Sequence, residues 1–432
     1  MNPVVFSKVF FVFFIINGYA ASAYAATIPV DCTVDSLQSA IETASPGDTL
    51  SVTGLCEESI TITTNDLTFI GNSSGVNAAL SGANLFFPTM ISINNAARVS
   101  IEGFTISDGL FGVSAEAGAT FTLSDSTINN MIIGMALKTN SNAALNTVTI
   151  DNVDAIGLNA TSGSTVEISG MVTLSNAKAF GLQIIDGAEL KVTENSELIL
   201  VGNLLGAQIS GGSTLFMDTD SKIIADDNIL IGFSINTGSS MVMFNADLSA
   251  NRNGLDGLDV VSSANLDIDG DSTLTVNDNR REGISIDNGS INIFGFFSTQ
   301  PGLPKIITNN NANNGIQVEF GGKLDIGRNS SIESTGNGKA GISLDNGSAA
   351  NLHDSIITGN NGYFEVNASN DDGEDADEEN DNDHGSSRNN EDPSADVVVS
   401  FGSRVWFQSN NAVGLAICDK SSLSRGDVKC KH

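Results

Sequence analysis

A glycine followed by an apolar residue returns along this chain at a nearly fixed interval. The pairs are Gly112-Val113, Gly134-Met135, Gly157-Leu158, Gly181-Leu182, Gly206-Ala207, Gly232-Phe233, Gly257-Leu258, Gly283-Ile284, Gly315-Ile316, Gly341-Ile342 and Gly414-Leu415. From Gly112 to Gly283 the successive gaps are 22, 23, 24, 25, 26, 25 and 26 residues. Such a period restricts the chain to a stack of like units, because one unit cannot bury its own apolar side.

Within a unit the apolar residues alternate with period two. "GISID" sets Ile284 and Ile286 on one side and Ser285 and Asp287 on the other, and "GIQVE" and "GISLD" repeat the pattern. A Gly/Ser/Asn-rich turn leads to a second short strand ("SINIF", "AELKV", "STVEI", "GKLDI"). A third follows ("STLTVNDN", "SKIIADDN", "PKIITNNN", "SSIESTGN", "SRVWFQSN"). Three short strands per unit and no helical period predict an all-β fold, a parallel β-helix whose coils pair strand on strand at about 4.8 Å. Burying an aliphatic side chain contributes about 1.5–3 kcal/mol gross, so each added coil favours a long stack. Asn130, Asn228, Asn253, Asn279, Asn311, Asn337 and Asn410 each stand four residues before a repeat glycine. They read as a turn ladder in which asparagine takes the left-handed backbone and its amide bonds to the next one along the stack.

This pattern resembles the right-handed parallel β-helix, or pectin-lyase-like, superfamily across nearly all of the mature chain. The opening "TVDSLQSAIETASPGDTLSVTGLCEESITITTNDLTFIGN" is similar to it as well. The resemblance implies a right-handed solenoid and an amphipathic N-terminal helix over its open end. Leu37, Ile41 and Ala44 supply that helix's stripe, with Asp35 or Ser36 as the N-cap. The superfamily hosts lyases, hydrolases, esterases, epimerases and non-catalytic adhesins, so it implies an architecture without an activity.

The segment 1–25 reads as a secretory leader. One positive charge precedes the apolar run Val9–Ile16, which is too short for a span, and Ala23 and Ala25 precede a cut ahead of Ala26. The remaining divisions are an N-terminal cap at 26–50, the β-helix at 51–418 and a tail at 419–432. Cys32, Cys56, Cys418 and Cys430 suit an oxidising compartment. Proximity favours Cys32–Cys56 and Cys418–Cys430 among the three connectivities that four cysteines allow. Fifty-one acidic and nineteen basic residues give a net charge of −32, which argues against nucleic acid and anionic membranes as partners. Residues 367–396 form an acidic insertion without a large apolar residue, the composition of a flexible loop.

Two groups of residues are candidates for chemistry. Asp287, Glu319 and Asp345 take the fourth place after the glycine in three successive units, so their carboxylates stack, with Arg280 and Arg281 in the preceding turn. Stacked carboxylates share a cation or a proton, which suits acid–base work. The resemblance implies calcium beside an arginine, as in β-helix polysaccharide lyases. Asp259, with Asp267, Asp269 and Asp271 of "NLDIDGDSTLTV", are the candidate calcium ligands. The second place after each glycine is mostly small or neutral: Ser114, Ala136, Asn159, Gln183, Gln208, Ser234, Asp259, Ser285, Gln317, Ser343. Hydrolase, lyase and esterase signatures are missing, and no histidine has a Gly-His-Gly setting. The leading expectation is an exported, non-catalytic surface or envelope protein presenting a polar side to a glycan or partner. The alternative is a polysaccharide lyase or C5-epimerase acting on uronates through Arg280, Arg281, Asp287, Glu319 and Asp345.

Overall fold

The computed structural model describes residues 25–353 except 72–76, 84–85, 87, 295–302 and 328–329. Beyond 353 it describes the strands Ile356–Thr358, Ala395–Val399, Arg404–Gln408, Asn411–Val413, Leu415–Cys418 and Leu423–Gly426. Residues 1–24 of the leader, residues 367–394 of the acidic insertion and the Cys418–Cys430 pairing lie outside the described residues.

Forty strands among the described residues wind into a parallel β-solenoid of about 12 turns, with one short helix. Through most of the stack each strand pairs in parallel with the strand three places further along, which produces three faces. The first face carries Ile156–Ala160, Phe180–Ile184, Leu205–Ile209, Phe233–Ile235, Leu258–Val261, Ile284–Asp287, Ile316–Glu319 and Ile342–Leu344. Ile284, Ile316 and Ile342 stand in one file, as the repeat predicts. In the early turns single strands bend around a corner: Thr120–Leu137 pairs with both Asn142–Asp151 and Ile156–Ala160. "SRVWFQSN", expected as a third strand, instead gives Arg404–Gln408, which pairs with Ala349–His353 on the second face.

Strand formation starts earlier than the expected boundary at 51, because Thr27–Asp31 already pairs with Thr49–Thr53. The helix Leu37–Thr43 follows. Its N-cap is Ser36, whose hydroxyl accepts from the Ser39 amide. Glu58 accepts from the Leu37 amide at 2.6 Å and the Gln38 amide at 3.3 Å, so a carboxylate lies against the helix's free N–H groups. Leu37 and Ile41 join the core, and Cys32 bonds to Cys56. No helix among the described residues is long and apolar enough to cross a membrane.

The repeat glycine serves close backbone approach. A Cβ on Gly134 would stand 2.5 Å from the carbonyl oxygen of Gly157, and one on Gly157 would stand 2.5 Å from that of Gly181. The asparagine ladder is present and buried, running Asn203, Asn228, Asn253, Asn279, Asn311, Asn337. Each side-chain oxygen accepts from the amide of the preceding member, as in Asn228 N–H to Asn253 Oδ1 at 2.9 Å and Asn253 N–H to Asn279 Oδ1 at 2.9 Å. The left-handed backbone falls one residue earlier than expected, on Asp227, Arg252, Asp278 and Asn310, with φ between 56° and 59°. Asn130 is exposed and itself left-handed (φ 52°), and it stands apart from the buried ladder. Its place is explained by a different contact, the Asn152 side-chain Nδ2 donating to its Oδ1 at 2.7 Å.

Candidate functional site

The first face presents two outward columns. The polar one is in the expected register: Ser114, Ala136, Asn159, Gln183, Gln208, Ser234, Asp259, Ser285, Gln317, Ser343. Gln183 donates to Gln208 across one turn at 2.9 Å. Asn159 Oδ1 and Asp259 Oδ1, both in this column, are buried atoms without a hydrogen-bond partner.

The second column was not anticipated. It consists of the residue just before each repeat glycine: Phe111, Ile133, Ile156, Phe180 and Leu205 in paired register, continued by Ile231 through the Gly206 amide to the Ile231 carbonyl at 3.0 Å. All six are partly exposed and stand outside the hydrophobic core. They form an apolar rail beside the polar stripe. The Lys138 ammonium lies 5.2 Å from the centre of the Phe111 ring. Reading one place before the glycine, instead of only the places after it, reveals the rail in the sequence.

Each column acquires a carboxylate at the same turn, after which the stripe returns to Ser285, Gln317 and Ser343. Asp256 follows Ile231 in the rail and Glu282 follows Asp256, by the amide bonds Gly232 to Asp256 at 3.1 Å and Gly257 to Glu282 at 3.2 Å. Asp259 follows Ser234 in the stripe. The Asp256 side chain has no exposed surface, while that of Arg281 is 47% exposed. The Arg281 guanidinium forks onto Asp256, with Nε to Oδ1 at 2.7 Å and a second nitrogen on Oδ2. The Glu282 amide also donates to Asp256 Oδ1 at 3.0 Å. Glu282 lies 3.0 Å from Arg281 Nε and accepts from Asn313 Nδ2 at 2.9 Å.

Burial, the Asp256 charge and a hydrogen bond between the two carboxyls push the Asp259 carboxyl well above the usual carboxylate range. Burial also raises Glu282, against the opposing bond from Asn313. Glu319 is raised by burial and then by the charges of Asp287 and Asp345. The stacked carboxylates are thus near neighbours: Asp287 pairs in register with Glu319, and the Asp345 amide donates to the Val318 carbonyl. Arg281 joins this group. Arg280 is exposed, with its amide bonded to the Asn253 carbonyl at 3.1 Å.

Sequence reasoning missed Asp256, the residue that holds Arg281 in place. Its mark was a carboxylate in a position that earlier units fill with Ile, Leu or Phe. The calcium candidates are not brought together. Asp259 is on the first face, while Asp267 and Asp269 lie in Asn265–Asp269 on the second and Asp271 follows in a turn. Asp267 accepts from Asn292 Nδ2 at 2.8 Å, and Asp269 accepts from the Gly270 amide at 2.7 Å. Calcium takes roughly six to eight oxygen ligands. Among the described residues no three His, Cys, Asp or Glu side chains converge to hold a metal, so these residues do not fit the ion.

No protein family matches the chain, and no curated protein matches its sequence. Among solved structures, it is similar to the A-module of the Azotobacter vinelandii mannuronan C-5 epimerase AlgE6, with 12% identity over 77% of this chain and 88% of that one, and a TM-score of 0.35. PfbA, a surface adhesin of Streptococcus pneumoniae, aligns with 11% identity over 78% and 92%, also at a TM-score of 0.35. An alginate lyase from Paenibacillus sp. aligns with 12% identity over 78% and 94%, at a TM-score of 0.28. Likeness at this level carries no activity to this chain.

Proposed function

We propose that this protein is an exported, non-catalytic β-solenoid that binds a glycan along its first face. One observation carries the reading: neutral Asn, Gln and Ser side chains stand in register over successive turns, and one of their buried oxygens, Asn159 Oδ1, lacks a partner in the protein. Amide and hydroxyl groups both donate and accept, as a sugar hydroxyl requires. Side chains repeated at about 4.8 Å give an extended chain many weak, additive contacts. The test is a glycan array, with and without calcium, comparing wild type with Gln183→Ala/Gln208→Ala. Binding that weakens in the variant supports the reading, and equal binding by both proteins overturns it.

The acidic cluster favours a second reading, acid–base processing of a bound uronate chain, because Asp259 Oδ1 is unpartnered and Asp259, Glu282 and Glu319 are shifted toward the protonated form. Against it, Arg281 is already paired with Asp256 and Glu282, which leaves little free positive charge for a substrate carboxylate. Unsaturated or epimerised product from a uronate panel with wild type, abolished in Asp259→Asn, would establish this reading in place of the first.

A further inference from the structure

The proposed glycan reading leaves open which kind of glycan the face takes, and the rail bears on that. From Phe111 to Ile231 an apolar column runs beside the polar one for six turns, about 24 Å at the strand spacing. Over those turns neither column contains an ionisable side chain: the rail is Phe, Ile, Ile, Phe, Leu, Ile and the stripe is Ser, Ala, Asn, Gln, Gln, Ser. Six partly exposed apolar side chains in one file form a contiguous apolar row, the kind of surface that a partner covers.

The chemistry of the two columns selects the occupant. A pyranose ring has an apolar C–H side, which suits Phe180 and its Ile and Leu neighbours, and hydroxyls at its edge, which suit Asn159, Gln183 and Gln208. An added peptide strand is a poor fit, since these strands already spend their backbone groups on the turns above and below. An anionic chain is a poor fit for a further reason. At one end both columns run into Asp256, Asp259 and Glu282, with Glu319, Asp287 and Asp345 beyond, and Arg281 is committed to Asp256.

We infer that the first face is a binding surface for a neutral, linear glycan, whose apolar ring faces lie on the rail Ile133–Ile156–Phe180–Leu205–Ile231 while its hydroxyls meet the polar stripe. This rests on the glycan-binding reading and adds the ligand's class and the surface that reads it. The acidic turn at Asp256 and Asp259 bounds this surface at one end and discriminates against uronates.

The test is calorimetric titration of the full chain with neutral linear glucans, mannans and xylans, and with alginate and polygalacturonate. Phe180→Ser/Leu205→Ser is the rail variant and Gln183→Ala/Gln208→Ala the stripe variant, each accepted only with a wild-type circular dichroism spectrum. The expected result is binding to a neutral glycan that falls at least tenfold in either variant, and no binding to the uronates. Uronate binding alone would overturn the inference and leave the glycan reading standing. Neutral binding unaffected by the rail variant would place the ligand elsewhere and overturn it too. No binding to any glycan would sink the glycan reading and this inference together. So would a rail that, on the variants' evidence, serves instead for self-association in sedimentation or for adsorption to neutral lipid vesicles.

Discussion

Asp256 and Asp259 are three residues apart, share one hydrogen-bonded cluster and are predicted to respond to the same substitution with opposite signs. Asp256 is wholly buried and accepts two bonds from Arg281 and one from the Glu282 amide. Asp256→Asn replaces one acceptor oxygen with a donor that faces the guanidinium. Removing one partner of a buried ion pair costs about 3–5 kcal/mol. Arg281 is 47% exposed and regains water, so about 2–3 kcal/mol is the expected loss here. Asp259→Asn acts differently. The folded-state pKa of Asp259 is raised, so its stabilisation is complete below the unfolded value near 3.9 and is lost as pH rises toward the folded value. Each pH unit crossed inside that window costs about 1.4 kcal/mol. Asparagine keeps a donor for Asp256 without binding a proton, so the variant should be more stable than wild type at neutral pH and lose most of the slope. Urea unfolding followed by circular dichroism at about pH 4.5 and pH 7.5, with amide exchange at Gly257 and Gly283 as the local readout, separates the two effects. The argument is refuted if Asp256→Asn leaves both measures unchanged, or if Asp259→Asn keeps the wild-type slope.

Three further outcomes follow from the packing. Asn253→Ala strips the Asn228 amide of its acceptor inside a buried ladder and should cost about 2–4 kcal/mol in urea unfolding. Gly157→Ala brings a methyl against the Gly181 carbonyl and should destabilise by about 2 kcal/mol or more, with exchange rising in the turns around 157 and 181. Reducing Cys32–Cys56, which closes a 24-residue separation, should cost about 3 kcal/mol and loosen the N-terminal turns before the rest.

The fold was legible because a solenoid writes its geometry as a period: the repeat glycine and the alternation after it recur with each turn, and the buried asparagine recurs from Asn203 to Asn337. The polar column was legible for the same reason, and Asp287 and Glu319 pair in register at the spacing of the repeat. The site's other half was hidden by the choice of reference point. Residues before the glycine look like turn, so Phe111 to Ile231 passed as unremarkable apolar residues and Asp256 as one acid among fifty-one. Arg281 illustrates the physical limit. Its arginine character is plain in the sequence, but its partner lies 25 residues earlier and pairs with it only because one turn lies on the next. Side-chain position also fixed the fate of the calcium candidates, since Asp259 and Asp267 are eight residues apart and on different faces.

The distribution of charge is the strongest reason to treat the first face as a surface with a purpose. Charged residues make up 16% of the chain, so twelve positions chosen without regard to role would hold about two. The twelve positions of rail and stripe from Phe111 to Ser234 hold none, although a net charge of −32 is carried elsewhere. Burial accounts for three of the twelve, since Ser114, Ala136 and Ser234 are buried, but the other nine are partly exposed. An outward position on a β-solenoid tolerates Asp, Glu or Lys, as Glu167, Lys191 and Asp267 do in register on the second face. Solubility argues the other way, since a charge in the rail would protect the partly exposed Phe180 and Leu205 from self-association. The partly exposed remainder of the strip, which solubility does not explain, is what the proposed uncharged ligand would account for. On that proposal, the carboxylates Asp256 and Asp259 bound the strip at one end.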